Sequence, residues 1–157
     1  MLDLQAIRTE FVRPALKAVD LWSPAAEDLV FGTGLQESQY QFLHQGGVGP
    51  ALGYWQMEPA TANDIWINFL AFRPALRDAT SKLLAGRDRV GTLVTDPIYA
   101  AAMCRLRYYR VSAPLPPWGD VNAYGAYWKQ WYNTPAGAGT AEEWVKNWNM
   151  LQEDMNG

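Results

Sequence analysis

Prolines and glycines divide this chain of 157 residues into short segments, most of which carry apolar residues at helical spacing. Proline disrupts a helix interior but is well accommodated in the first turn. Pro24, Pro59 and Pro97 therefore predict helix starts, and Gly86 predicts a helix end. The sequence thus indicates a mainly α-helical protein. The expected helices cover residues 3–19, 24–38, a segment beginning at 59, 73–84, 95–110, 121–133 and 140–153.

Some segments depart from regular helix. Pro14 is expected to kink or split the first helix. Residues 41–55 contain four glycines and a proline, which predicts a loop or a short hairpin. Gly32 and Gly34 lower the helix propensity of their segment, and we expect them to permit close approach of a neighbouring helix or of substrate. Residues 112–119 contain three prolines and predict a loop.

Composition limits the possible functions. The length and the 49% hydrophobic content fit one domain over residues 1–157 with a substantial core. The net charge of -3 and the absence of a basic stripe argue against a nucleic-acid partner. The single cysteine, Cys104, excludes an internal disulfide framework, and no Cys/His cluster suggests zinc. No apolar run approaches the roughly 20 residues of a membrane span, so we expect no membrane insertion.

The chain is rich in aromatic residues, with 8 Trp, 8 Tyr and 5 Phe. Aromatic faces can stack on the apolar faces of sugar rings, and carbohydrate-binding clefts use them in this way. Aromatic side chains also fill protein cores, because each of them buries a large apolar area. Both roles are open for the individual tryptophans at this point.

Three short segments carry the most specific functional signal. Glu37 and Ser38 lie at an expected helix end, and residues 53–62 read Gly-Tyr-Trp-Gln-Met-Glu-Pro-Ala-Thr-Ala. Tyr132 and Asn133 form the third segment, which continues towards a Pro-Ala-Gly turn. In this order, the three segments resemble those of the lysozyme-like lytic transglycosylases, in the superfamily that includes goose-type lysozymes. The resemblance covers about residues 24–137.

The resemblance implies a lysozyme-like α+β fold: a helical bundle in which a small β or loop region forms one wall of a glycan-binding cleft. It also implies cleavage of the β-1,4 bond between N-acetylmuramic acid and N-acetylglucosamine in peptidoglycan. Lytic transglycosylases do this with one Glu as acid and then base, and no carboxylate residue lies between Glu37 and Gln56. The alternatives are hydrolysis of the goose-lysozyme kind, with Glu58 or Asp64 activating water, and a non-catalytic glycan-binding or structural virion protein.

Site residues follow from the same resemblance. Glu37 is the catalytic candidate, and burial beside aromatic groups is expected to raise its pKa. Ser38 is expected to bind substrate or, equally, to cap the helix. Tyr132 resembles the family Tyr whose hydroxyl points at the acid, and no metal or cofactor is implied. The expected substrate-binding residues are Ser38, Gln56, Tyr132, Tyr54 and Trp55.

The start of the chain bears on the expected setting. Residues 1–5 show neither a basic region nor a long apolar run, so no signal peptide is predicted. Together with the resemblance, this favours a phage-encoded enzyme that acts on host peptidoglycan. Such an enzyme is either an endolysin released through a holin pore or a virion-associated protein. The expected partners are peptidoglycan glycan strands and, in the second case, other virion proteins.

Overall fold

A computed structural model describes residues 3–41, 43, 49–133 and 136–156, and in it the protein is mainly α-helical. This confirms the predicted helical class. A 3-10 turn, Leu70–Phe72, and two π-helical segments, Ile7–Val12 and Lys129–Asn133, accompany the α-helices. Across the residues that the structure describes, none of the helices has both the length and the apolar content needed to span a bilayer. The α-helices are α1 (Leu4–Ala6), α2 (Arg13–Ala18), α3 (Pro24–Ser38), α4 (Pro59–Asn68), α5 (Pro74–Leu84), α6 (Thr92–Thr95), α7 (Pro97–Tyr109), α8 (Val121–Trp128) and α9 (Ala141–Asn156).

The first helical segment changes its hydrogen-bonding pattern just before Pro14. The π-helical turn Ile7–Val12 separates α1 from α2, and the amide of Arg13 donates to the carbonyl of Arg8, five residues back. Pro14 has no N–H with which to serve the Glu10 carbonyl in an α-helical pattern. The wider turn lies at the point where that donor is missing, so the interruption expected at Pro14 is present as a π segment.

Helix α3 is the central helix of the protein. Ser23 caps its start, because the Ser23 hydroxyl accepts a hydrogen bond from the amide of Ala26 at 3.1 Å. Most of its residues are buried, and it contacts the π segment Ile7–Val12, α7, α8 and α9. The helix ends where Gln39 adopts a left-handed conformation with φ of 52°. This end carries Glu37.

The two glycines of α3 permit close packing, as their positions predicted. A Cβ atom at Gly32 would lie 2.2 Å from the ring of Trp144 in α9. A Cβ atom at Gly34 would lie 2.2 Å from the hydroxyl of Tyr40, which folds back over the helix and donates to the Phe31 carbonyl at 2.7 Å. Side chains, rather than open space, therefore occupy the volume above both glycines.

The expected β region is not present as strands in the described part of the chain. Leu52 and Met57 form one isolated antiparallel bridge, which closes a tight turn over the four residues between them. Gly53 opens that turn with φ of +77°, and a Cβ atom there would lie 2.4 Å from the Leu93 carbonyl oxygen. Much of the predicted loop or hairpin over 41–55, namely residue 42 and residues 44–48, lies outside the described residues.

A buried charge cluster fixes the other end of α3. Arg8 and Arg13 both bind the carboxylate of Glu27, and Trp22 donates to it at 2.8 Å. Arg8 also pairs with Asp28. Burial by itself would raise the pKa of Glu27, but the hydrogen bonds from Arg13, Trp22 and Arg8 outweigh it and lower the pKa to about 2. The cluster ties the N-terminal helices to the start of α3.

Candidate active site

Glu37 lies in the last turn of α3 and is partly buried. The indole Nε1 of Trp128, at the end of α8, donates to its Oε2 at 3.0 Å. The two residues are 91 positions apart in the sequence, so the contact depends on the packing of α8 against α3. Glu37 is thus a carboxyl group held in one orientation at the edge of the core.

The surroundings of Glu37 change its acidity. Burial raises its pKa from an ordinary 4.5 to about 7, although the Trp128 hydrogen bond and the positive charge of Arg107 act in the opposite direction. A carboxyl group with this pKa has substantial protonated and ionised populations near neutral pH. That balance suits a residue that gives up a proton in one step and takes one back in the next.

The turn at 53–57 presents Gln56 beside this region. Gln56 adopts a left-handed conformation with φ of 50°. The Gly53 carbonyl accepts both its backbone amide at 3.0 Å and its side-chain Nε2 at 2.9 Å. The side chain is partly exposed and is held in place by its own turn. Gln56 can therefore contact a ligand without first becoming ordered.

Hydrogen bonds bring the three predicted segments together. The hydroxyl of Ser38 lies 2.7 Å from the backbone carbonyl of Tyr54, and the hydroxyl of Tyr132 donates to the carbonyl of Trp55 at 2.6 Å. The end of α3 and the π segment therefore both contact the same turn. Since Glu37 precedes Ser38 and Gln56 follows Trp55, the acid and the amide belong to one assembly.

Tyr132 reaches a different partner from the one the family resemblance implies. Its hydroxyl bonds to the carbonyl of Trp55, while Trp128 supplies the donor to Glu37. No role was predicted for Trp128. Its spacing of four residues from Tyr132, which places both on one helix face, is the sequence signal that could have identified it. Tyr132 therefore supports the turn, and Trp128 orients the acid.

Burial separates the predicted binding residues into two groups. Trp55, Ser38 and Tyr132 have relative exposures of 1%, 2% and 3%. The Trp55 indole donates to the Val30 carbonyl at 2.8 Å, so Trp55 is a core residue whose faces are not available to a sugar. Tyr54 and Gln56 are partly exposed and are the two with side chains accessible to a ligand.

The two acids considered as water activators occupy different environments. Asp64 in α4 accepts hydrogen bonds from Asn68 at 2.7 Å and from Arg110 at 2.5 Å, and these bonds lower its pKa. Glu58 is exposed at the start of α4. Neither forms a hydrogen bond to Glu37 or Trp128 in the described part of the structure. The carboxyl group at the junction of the three segments is that of Glu37.

Over the described ranges, no group of three or more His, Cys, Asp or Glu side chains is placed to hold a metal ion. Cys104 is fully buried in α7, where burial raises its pKa far above the ordinary range of a thiol. No protein-family model, curated protein or solved structure matches the chain. The geometry around Glu37 is the basis for a functional assignment.

Proposed function

We propose that this protein cleaves the β-1,4 bond between N-acetylmuramic acid and N-acetylglucosamine in peptidoglycan by lytic transglycosylation. Glu37 is the single acid and base, and the surface around it is one side of a lysozyme-like glycan-binding cleft. Gln56 and Tyr54 are the partly exposed residues that contact the glycan. The observation that carries the proposal is that the end of α3 and the π segment both contact the turn at 53–57.

The chemistry assigned to Glu37 has two steps. Protonated Glu37 donates its proton to the glycosidic oxygen as the bond from that oxygen to C1 of the muramoyl sugar breaks. The resulting carboxylate then removes the proton from the C6 hydroxyl of the same sugar as that oxygen bonds to C1. The products are a 1,6-anhydro end and a free hydroxyl on the departing sugar, and no water is consumed.

The environment of Glu37 supports both steps. A pKa of about 7 leaves the carboxyl group protonated often enough to act as an acid at neutral pH. The Trp128 donor stabilises the anion that forms when the proton has left. Most glycosidases instead use a second carboxylate close to the first. The engagement of Asp64 by Arg110 favours the mechanism that has one carboxylate.

The first experiment is the digestion of purified sacculi, with the products analysed by chromatography and mass spectrometry. We expect fragments with 1,6-anhydro-muramic ends, lighter by one water than hydrolysis products. Glu37→Gln should abolish their release, and Glu58→Gln should not, because Glu58 is exposed at the start of α4. Circular dichroism of both variants should show that they remain folded.

Other outcomes would redirect the assignment. Reducing ends would indicate hydrolysis and a second residue that activates water. Undiminished release by Glu37→Gln would overturn the assignment of Glu37. Binding of sacculi without any soluble fragment would favour the glycan-binding alternative. The phage setting is a prediction from the sequence, which mass spectrometry of purified particles can test.

A further inference from the structure

Arg107 in α7 contacts the π segment that carries Tyr132. One guanidinium nitrogen donates to the Tyr132 backbone carbonyl, and the guanidinium carbon lies 4.1 Å from the centroid of the Tyr132 ring. A cation over an aromatic face is favourable, more so where water is partly excluded. Arg107 therefore holds both the backbone and the ring of the residue whose hydroxyl reaches the Trp55 turn.

Among the residues that the structure describes, the charge of Arg107 is not matched by an acidic partner. Arg8, Arg13, Arg87 and Arg110 each lie within 4.0 Å of a carboxylate oxygen. For Arg107, the described residues provide no carboxylate at that distance. The side chain is nevertheless partly buried. A partly buried cation without a counter-charge stabilises any negative charge that forms nearby.

The π segment also carries the cation Lys129, whose ammonium group donates to the Asn133 side chain and to the Gly137 carbonyl. Three other titratable groups of α7 and of the π segment are neutral near pH 7. Burial raises the pKa of Cys104, of Tyr108 and of Tyr132 well above the ordinary range, so none of them is ionised. The closest neighbour on α8 is the indole of Trp128, which carries no charge. The turn at 53–57 contributes Tyr54 as its one titratable side chain.

On the α9 side, Glu143 and Lys146 line a surface groove together with Gln36, the residue before Glu37. Both charged side chains are exposed, and they carry opposite signs. Solvent screens such charges, and their effects partly cancel. Of the charged groups on these elements, Arg107 is the one whose positive charge lowers the pKa of Glu37.

We propose that Arg107 is a positioning residue of the site, which fixes the Tyr132 segment and provides the positive charge that stabilises the Glu37 carboxylate between the two catalytic steps. This role rests on the proposed function of Glu37. Before proton transfer the described residues offer Arg107 no carboxylate within 4.0 Å, and after it the Glu37 carboxylate is a negative charge on which Arg107 acts. Arg107 therefore stabilises the ionised form of Glu37 more than the protonated form.

The test is a carbon-13 NMR titration of the Glu37 side chain in the free protein, combined with the pH profile of sacculus cleavage. We expect Arg107→Met to raise the Glu37 pKa by roughly half a unit to one unit. The alkaline limb of kcat/KM should move by the same amount, and kcat should fall. Arg107→Lys keeps the charge but loses the planar contact with Tyr132, so it should retain the titration and recover only part of kcat.

Two arginines of the same region serve as controls. Arg105 is buried two residues away and donates to the Leu21 carbonyl at 3.0 Å, so Arg105→Met should lower stability without moving the Glu37 titration. Arg110→Gln removes a charge beyond the end of α7 and should likewise leave the Glu37 titration unchanged. This control remains usable if the buried Arg105 variant fails to fold. Both controls separate a general loss of stability from a specific electrostatic effect.

The outcomes distinguish this inference from the proposed function. An unchanged Glu37 titration in folded Arg107→Met would overturn the role of Arg107, whatever the activity. A shifted titration in a protein that cleaves no peptidoglycan would support the electrostatic role and overturn the proposed function. A titration that shifts equally in Arg105→Met or Arg110→Gln would contradict the assignment to Arg107.

Discussion

At the scale of single residues, the hydrogen bond between Trp128 and Glu37 has the clearest consequence. The donor is a rigid indole that is 1% exposed, so the carboxyl group has a partner of fixed direction. A charge-assisted bond of this type stabilises the anion more than the neutral acid. Trp128 therefore both orients the acid and prevents its pKa from rising further.

Replacement of Trp128 by Phe tests this pair. We expect the Glu37 pKa to rise by about one unit, since hydrogen bonds to charged groups contribute about 1.5–3 kcal/mol. The alkaline limb of the activity profile should move up, and kcat should fall because the acid loses its orientation. Trp148→Phe is the matched control, because Trp148 is a buried tryptophan of α9 that stacks on Trp144. An equal shift in both variants would argue against a specific role for Trp128.

The position of Glu37 was predictable, but its partners were not. Ser23, Pro24 and the sequence pattern place α3 at residues 24–38, which matches Pro24–Ser38 in the structure. These signals are local, because capping and proline geometry act within one turn. The Trp128 contact joins residues 91 positions apart, and the Tyr132 contact joins residues 77 positions apart. The spacing of Trp128 and Tyr132 indicates a shared helix face, but no periodicity within a single segment tells which residues of other segments that face contacts.

At the scale of secondary-structure elements, the glycines of α3 determine how closely other groups approach the helix. Gly34 lies beneath the hydroxyl of Tyr40, and the Tyr40 ring also contacts Tyr54 at a centroid distance of 5.4 Å. The small residue thus allows the chain that leaves α3 to return over the helix. This return positions the segment that leads to the turn at 53–57.

Gly34→Ala should destabilise the protein by about 2–4 kcal/mol, because a methyl group would overlap the buried Tyr40 ring. The measurement is the free energy of unfolding in urea. Gly86→Ala is a useful control, since no atom lies within 4 Å of its added Cβ and only its φ of +75° is strained. Its cost should be about 1 kcal/mol. Similar losses in the two variants would mean that the Tyr40 contact contributes little.

The secondary-structure elements differ in how well the local sequence predicts them. Asp96 and Pro97 predict the start of α7, and the Asp96 carboxylate does accept hydrogen bonds from the amides of Ile98 and Tyr99. By contrast, residues 121–133 were expected as one regular helix, yet the last five form a π segment. Pro135 follows this segment by two residues, as Pro14 follows the first π segment, so a proline at that spacing is the local signal that could have indicated the wider turn.

At the scale of the whole molecule, the two ends of α3 respond to pH in opposite directions. Glu27 has a lowered pKa, so its contribution to stability is present above about pH 4.5 and is lost as the pH falls towards 2. Glu37 has a raised pKa, so the folded state binds the extra proton between 4.5 and 7 and stability falls as the pH rises through that range. Together they place the maximum of stability on the acidic side of neutrality.

We therefore expect the free energy of unfolding to be greatest near pH 4–5 and to decline by at most about 3 kcal/mol towards pH 8. Glu37→Gln should remove most of the decline on the alkaline side and leave the acidic side unchanged. Urea denaturation across this pH range provides the measurement. A maximum near pH 7 in the unaltered protein would contradict the raised pKa of Glu37.

The aromatic content also has its explanation at this scale. Five of the eight tryptophans are buried, namely Trp55, Trp66, Trp128, Trp144 and Trp148. Of the two roles left open by the sequence, core packing therefore accounts for most of them. Composition alone could not divide the roles, because a buried ring and a sugar-binding ring have the same chemistry.

The bond from Trp128 to Glu37 gives the acid a spectroscopic indicator of its own. The indole N–H senses whether its acceptor is a carboxylate or a neutral carboxyl group, since bonds to charged acceptors are shorter and stronger. One resolved indole resonance in a proton–nitrogen spectrum would then report the protonation state of Glu37 without substrate or label chemistry. The same resonance would also report when a bound glycan displaces that bond.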